Sequence, residues 1–199
     1  MLEIEVKYHI KDRNAMHARI LALGAKSTGQ VFETNILFDD SKGTLLKKRE
    51  LLRLRYDGRA RLTFKSRRAD NECEYKIHDE IEVEVSDFDT ARQLIEAIGF
   101  SPQQVYEKRR EEFILDKAHI CLDTMPYGEF LEIEADKKSI RSLSERLGLR
   151  WEDRITANYL EIFGTIKKSA LLPFDDVTFD NFRGVSFDLE ACLNRLKNG

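Results

Sequence analysis

The opening residues constrain this chain more than any other stretch. In Leu2-Glu3-Ile4-Glu5-Val6-Lys7-Tyr8, apolar and charged residues alternate strictly. Side chains of a strand alternate between its faces. Leu2, Ile4, Val6 and Tyr8 therefore share one face, and Glu3, Glu5 and Lys7 share the other. Two carboxylates thus sit next but one on a single face, where like charges repel. The same pattern recurs as Glu82-Val83-Glu84 and Glu132-Ile133-Glu134, and with the opposite sign as Arg53-Leu54-Arg55 and Lys108-Arg109-Arg110. A chain that stacks like charges on strand faces needs counter-charges. Metal cations answer the glutamates, and a polyanion answers the lysines and arginines.

Composition narrows the partners. Charged residues make up 35% of the 199 residues, yet the formal net charge is only −3. That is dense against a typical ~25%, and balanced. A nucleic-acid binder normally carries a net basic surface, so that class is disfavoured. Cys73, Cys121 and Cys192 are widely spaced and form no CxxC, which predicts free thiols in a reducing compartment. No apolar run approaches the length of a membrane span. The chain enters a strand at once, with no signal-peptide core. A soluble, cytoplasmic protein is expected.

The same reading carries through the chain. A helix is predicted over about 12–23, with Asp12 as N-cap and Gly24 as stop. Strands are predicted over 28–39, 50–57 and 59–67, the last two joined at Asp57-Gly58 as a hairpin, with 39–43 a loop. Ala69-Asp70-Asn71 marks a turn. Alternation then runs cleanly over 72–85, long enough to bend like a barrel wall. A helix from Asp87 to Gly99 is followed by strands at 104–115, 117–124 and 129–136, then helices at 139–147 and 154–164. A tail from 165 carries Phe174, Phe179, Phe182 and Phe187, with a last helix at 188–197.

Acids gather on the first, fifth, seventh and eighth strands, and bases on the third, fourth and sixth. An open sheet would turn that face to water. A closed barrel gives both faces a use, with apolar residues under helices outside and charges lining a tunnel inside. The expected class is therefore α+β: an eight-stranded antiparallel β-barrel, or tunnel, with a charged interior and helices packed outside. It would occupy residues 1–164, with 165–199 packed on it as an extension. Glu72, Glu74, Glu80, Arg59 and Arg67 are expected near the tunnel ends. The extension would cap a tunnel mouth or make a homodimer contact.

These residues also carry a resemblance. Glu3-x-Glu5-x-Lys7 resembles the ExExK signature of the CYTH superfamily, the triphosphate tunnel metalloenzymes. Leu52-Arg53-Leu54-Arg55 is similar to its LRxR strand, and Leu62-Thr63-Phe64-Lys65 to its lysine strand. Glu82 and Glu84 match the central ExE, Lys108 and Arg110 the later KxR, and Asp123 with Glu132 and Glu134 the late acidic set. Asn158-Tyr159 stands where the family often has Ser-Tyr. The resemblance spans residues 1–164. It implies a tunnel that binds a triphosphate-containing small molecule with Mg²⁺ or Mn²⁺.

The chemistry of the residues agrees. Mg²⁺ takes oxygen ligands, usually one or two carboxylates with phosphates and water. Glu3, Glu5, Glu82, Glu84, Asp123, Glu132 and Glu134 supply such oxygens, while Lys7, Arg53, Arg55, Lys65, Lys108 and Arg110 supply phosphate counter-charges. Glu82, Glu132 and Glu134 would hold a metal on the phosphates. Glu3 and Glu5 would serve a second metal and the attacking water, with Lys7 as base or as support for the leaving phosphate. The expected reaction is hydrolysis of a terminal phosphate. The alternative is a class IV adenylate cyclase forming cyclic AMP and pyrophosphate. Some cyclases of that class carry His-Phe before ExExK, where this chain reads Met1-Leu2, and this tilts the expectation to hydrolysis. A third possibility is a polyphosphate-binding module without catalysis, against which the number of carboxylates argues.

Overall fold

The computed structural model describes residues 2–67 and 74–198. The expected turn at Ala69-Asp70-Asn71, and with it Glu72 and Cys73, lies outside them. Eight strands close into an antiparallel barrel: β1 (Leu2–Ile10), β2 (Lys26–Asp39), β3 (Glu50–Tyr56), β4 (Ala60–Arg67), β5 (Lys76–Val85), β6 (Ser101–Leu115), β7 (Ala118–Met125) and β8 (Gly128–Glu134). Their order around the barrel is β1-β5-β4-β3-β2-β6-β7-β8. Two meanders, β2 to β5 and β6 to β8, are joined by the long β2–β6 ladder. β1 closes the ring between β5 and β8, with Glu5 opposite both Lys76 and Glu134.

The helices follow their caps. Helix α1 (Arg13–Ala22) starts where the Asp12 carboxylate accepts the Ala15 N–H. A short helix α2 (Thr44–Lys48), absent from the sequence reading, is held by Asp39 and Asp40, whose carboxylates accept from Leu45, Leu46 and Thr44. Helices α3 (Phe88–Ala97) and α4 (Lys137–Arg146) are capped by Asp87 and Asp136. Helix α5 (Tyr159–Ala170) begins at Tyr159, later than the spacing of apolar residues predicts. Asn158 forms a capping box with Glu161, and a 3₁₀ turn at Trp151–Asp153 precedes it. Helix α6 (Leu189–Asn198) ends the described chain. Among the described residues no helix is long and apolar enough to cross a membrane.

Three apolar clusters attach this coat to the barrel. Val6, Tyr8, Ile120 and Ile133 pack under α1 and α4. Ile36 and Leu54 pack under α3. Tyr127, Phe130, Ile162 and Phe163 gather the tail, whose Phe174 and Phe182 lie against Phe163. The coat is incomplete, contrary to the sequence expectation. Ile81 and Val83 on the outer face of β5 are 69% and 54% exposed. The fifth strand is also shorter than expected, because Glu74 and Tyr75 form a bend before Lys76.

Two non-strand segments pair with barrel strands. Ile155 exchanges backbone hydrogen bonds with Lys7 of β1 at 3.2 and 2.7 Å. Val177 donates to Val105 at 2.8 Å and accepts from Glu107 at 2.9 Å, covering the part of β6 that β7 does not reach. The tail is thus a brace on the outer wall. The described residues that line the interior end, in sequence, at Leu160.

Candidate active site

The barrel encloses a cavity of about 1010 Å³. Because side chains alternate, each strand sends every second residue into it. A buried charge costs several kcal/mol unless it is paired. The interior is accordingly a lattice of ion pairs.

One wall is basic. On β3, Arg53 donates to the Tyr106 hydroxyl (3.3 Å) and to Thr63 Oγ1 (3.2 Å), and Thr63 donates to Glu82 (2.8 Å). Arg55 donates to Glu82 at 3.0 Å. On β6, Lys108 donates to Asp123 at 3.1 Å, and Arg110 grips both Asp123 oxygens and bonds Glu132. The opposite wall is acidic. Lys65 bridges Glu3 (2.6 Å) and Glu80 (2.8 Å), Lys76 donates to Glu5 at 2.5 Å, and Lys7 lies 2.7 Å from Glu132.

The electrostatics differ between the walls. Burial and the neighbouring Glu5 push Glu3 up to about 7, despite Lys65. Burial and Glu5 also raise Glu134. Burial would raise Glu132 too, but Lys7, Arg110 and Lys108 hold it well below the usual carboxylate range. Glu3 and Glu134 are thus carboxyls whose charged form is disfavoured where they stand, and a cation beside them would favour it. Among the described residues no three acidic, histidine or cysteine side chains converge as a preformed metal cage. The donors fit Mg²⁺ or Mn²⁺ in a different way, with a few carboxylates on one side and room for phosphate and water oxygens on the other.

Most of the residues singled out in the sequence meet here: Glu3, Glu5, Lys7, Arg53, Arg55, Lys65, Glu82, Lys108, Arg110, Glu132 and Glu134 all line the cavity. Two do not. Glu84 lies at the end of β5 beside Arg59 (3.6 Å), its side chain 60% exposed, because the strand has by then reached the barrel rim. Asp123, on the same face of β7 as the cavity-lining His119 and Cys121, is fully buried beneath the bases, with its oxygens occupied by Lys108, Arg110 and Tyr159. It aims bases rather than facing a ligand. Glu80, expected near a tunnel end, lines the cavity with Lys65, whereas Glu74 lies outside near Trp151 and Arg154. Cys121 also lines the cavity. It is free and buried, as is Cys192, and burial pushes its thiol well up.

Sequence reasoning missed several participants. Glu33 of β2 is buried among Arg55 (3.6 Å), Lys108 (3.4 Å) and Arg110 (3.9 Å). Burial would raise its carboxyl, but those three bases hold it at about 2. Asn35, two residues on, is fully buried, and neither side-chain atom has a protein hydrogen-bond partner. Lys76 and Tyr106 also line the cavity, as does Tyr159, which the sequence reading placed at a family position without giving it a role in the site. The available signal was the polar pair Glu33 and Asn35 on one face of an otherwise apolar strand end.

The closed eight-stranded barrel with opposed charged walls defines a tunnel protein. Residues 1–148 match the CYTH domain family, and the chain belongs to it. It is 29% identical over 171 residues, 85% of this chain and 91% of the relative, to "Putative adenylate cyclase MJ0240" of Methanocaldococcus jannaschii. A Vibrio parahaemolyticus protein given the same cyclase name superposes with TM-score 0.74 at 22% identity, covering 82% of this chain and 98% of that one. The Hippeastrum protein HpAC1, named for adenylyl cyclase and described as having a dominant triphosphatase activity, superposes with TM-score 0.57 at 17% identity, covering 86% and 98%.

Proposed function

We infer that this protein is a divalent-metal-dependent enzyme that hydrolyses the terminal phosphate of inorganic triphosphate or of an organic triphosphate inside its barrel. The observation that carries the reading is the facing of two walls in one cavity: Arg53, Arg55, Lys108 and Arg110 on one side, Glu3, Glu5 and Glu134 on the other. Phosphate binding needs the first wall, and cation binding needs the second.

In this reading the Arg53, Arg55 and Arg110 guanidiniums clamp phosphate oxygens, with Lys65 and Lys108 as point charges. Glu82, Glu132 and Glu134 would hold the Mg²⁺ or Mn²⁺, which supplies charge neutralisation at the phosphoryl oxygens when bound. Glu5 orients the attacking water or a second cation. Glu3, pushed up to about 7, is basic enough to take the water's proton. The water oxygen bonds to the terminal phosphorus as the bridging P–O bond breaks, releasing orthophosphate. Lys7, ion-paired to Glu132, steadies the leaving phosphate. Little else is asked of the protein in phosphoryl transfer.

A second reading, cyclisation of ATP, has the name of the Methanocaldococcus relative in its favour. It requires a seat for a nucleobase. Of the aromatic side chains in the described lining, Tyr106 and Tyr159 are buried with their hydroxyls engaged by Arg53 and Asp123, and His119 is paired with Glu112 at 2.7 Å. That commitment supports hydrolysis. The test is incubation with Mg²⁺ or Mn²⁺ and either inorganic triphosphate or ATP, with products identified by ³¹P NMR. Orthophosphate from triphosphate is expected. Cyclic AMP with pyrophosphate from ATP would replace hydrolysis by the second reading, and binding without turnover would leave a binding module.

A further inference from the structure

The family match ends at residue 148, but the cavity wall does not, since Asn158, Tyr159 and Leu160 also line it. Tyr159 is the first residue of α5 and is only 8% exposed. Its ring centre lies 4.3 Å from the Lys7 ammonium and 5.5 Å from that of Lys108. Its hydroxyl donates to Asp123 Oδ2 at 2.8 Å, the same carboxylate that holds Lys108 and Arg110. The ring is itself fixed: Phe130 meets it edge-on at 5.3 Å, and the Tyr127 hydroxyl donates to its backbone carbonyl at 2.7 Å.

Lys7 is gripped twice by the same segment. Ile155 pairs with its backbone, and Tyr159 lies against its ammonium. An ammonium on an aromatic face is attracted to it but donates no hydrogen bond to a lone pair there. Its one close carboxylate is Glu132 at 2.7 Å, with Glu5 at 4.0 Å. The ring therefore seats the charge while leaving N–H donors for the cavity.

We propose that Tyr159 is a positioning residue: its ring seats the Lys7 ammonium at the cavity wall, and its hydroxyl fixes Asp123 so that Lys108 and Arg110 keep their aim. The segment after residue 148 thereby contributes to the site wall. The functional half of this proposal rests on the triphosphate reading, but the geometric half does not.

The two halves are tested together in the full chain. Aromatic rings shield protons over their faces, so the Lys7 ε-methylene signal, assigned with K7R, is expected upfield of the other lysines. It should stay upfield in Y159F and move to the common position in Y159L. Triphosphate turnover should fall about 10- to 30-fold in kcat for Y159L with little change in KM, and less for Y159F. Combining Y159L with K7A should cost less than the sum of the two, the remainder being the loss of the hydroxyl on Asp123 that Y159F reports alone. An unshifted Lys7 signal in the unmutated protein overturns the proposal even if Y159L fails to fold. So does full additivity of Y159L with K7A. A shifted signal lost in Y159L, in a protein that turns over no triphosphate, upholds the seat and overturns the triphosphate reading instead.

Discussion

Arg110 and Asp123 face each other across the β6–β7 ladder, with Nε and Nη2 of the guanidinium on the two carboxylate oxygens. Asp123 is fully buried and also receives Lys108 and the Tyr159 hydroxyl. Removing one partner of a buried pair leaves the others uncompensated, which typically costs 3–5 kcal/mol. D123A should lose stability of about that size in urea unfolding, more than D123N, which keeps an acceptor. Equal stability of D123A and the unmutated protein would contradict this arrangement.

Glu134 lines the cavity on the acidic side, where burial and Glu5 raise its carboxyl. E134Q removes a charge that the folded protein does not need for pairing. We expect an unchanged circular dichroism spectrum and a metal-dependent turnover reduced at least ~100-fold, since even residues that only orient metal ligands cost 10- to 100-fold. Turnover retained within twofold would remove Glu134 from the metal-binding set.

Glu33 links acid stability to the basic wall. Its folded-state carboxyl is held at about 2 against 4.5 for the ordinary group. A depressed acid stabilises the fold above its unfolded pKa, and that contribution is lost as pH falls from about 4.5 toward 2. It is worth on the order of 3 kcal/mol. Denaturant titrations at pH 6 and pH 3 should show E33Q less stable than the unmutated protein at the higher pH, with the gap between them narrowing at the lower.

The bare outer face of β5 gives an opposite expectation. I81S or V83T exchanges an exposed apolar group for a polar one and should alter stability by within about 0.5 kcal/mol. I133A opens a cavity in the cluster under α4 and should cost about 2–5 kcal/mol. Thermal unfolding of the three variants distinguishes a covered barrel wall from an uncovered one.

The barrel was legible because its signal is local. Alternation placed Glu3, Glu5 and Lys7 on one face, and the separation of acids and bases among the strands implied a closed interior. What escaped depends on distant partners. Glu33 reads as one more strand glutamate until β3 and β6 bring Arg55 and Lys108 to it. Glu84 shares its pattern with Glu82, but two residues of rise carry it to the rim. Tyr159 was matched to a family position, but its place at the cavity wall depends on Ile155 pairing with Lys7, a contact between residues far apart in sequence. Helix α2 escaped because its five residues are too short to show a period, and its caps are the preceding aspartates.

The position of β1 in the ring also bears on how the molecule is made. The barrel's first strand in sequence pairs with Lys76–Asp79 and with Glu129–Glu134. Leu2–Glu5 find a ladder partner once β5 exists, but Val6–Ile10 have none until the eighth strand is made, so the barrel cannot close before then. Closure over such long sequence separations is slow and leaves intermediates with exposed strands. Until then the strands form an open sheet with a sticky, unpaired edge on β1, and the step that completes the tunnel is the meeting of the barrel's first and last strands.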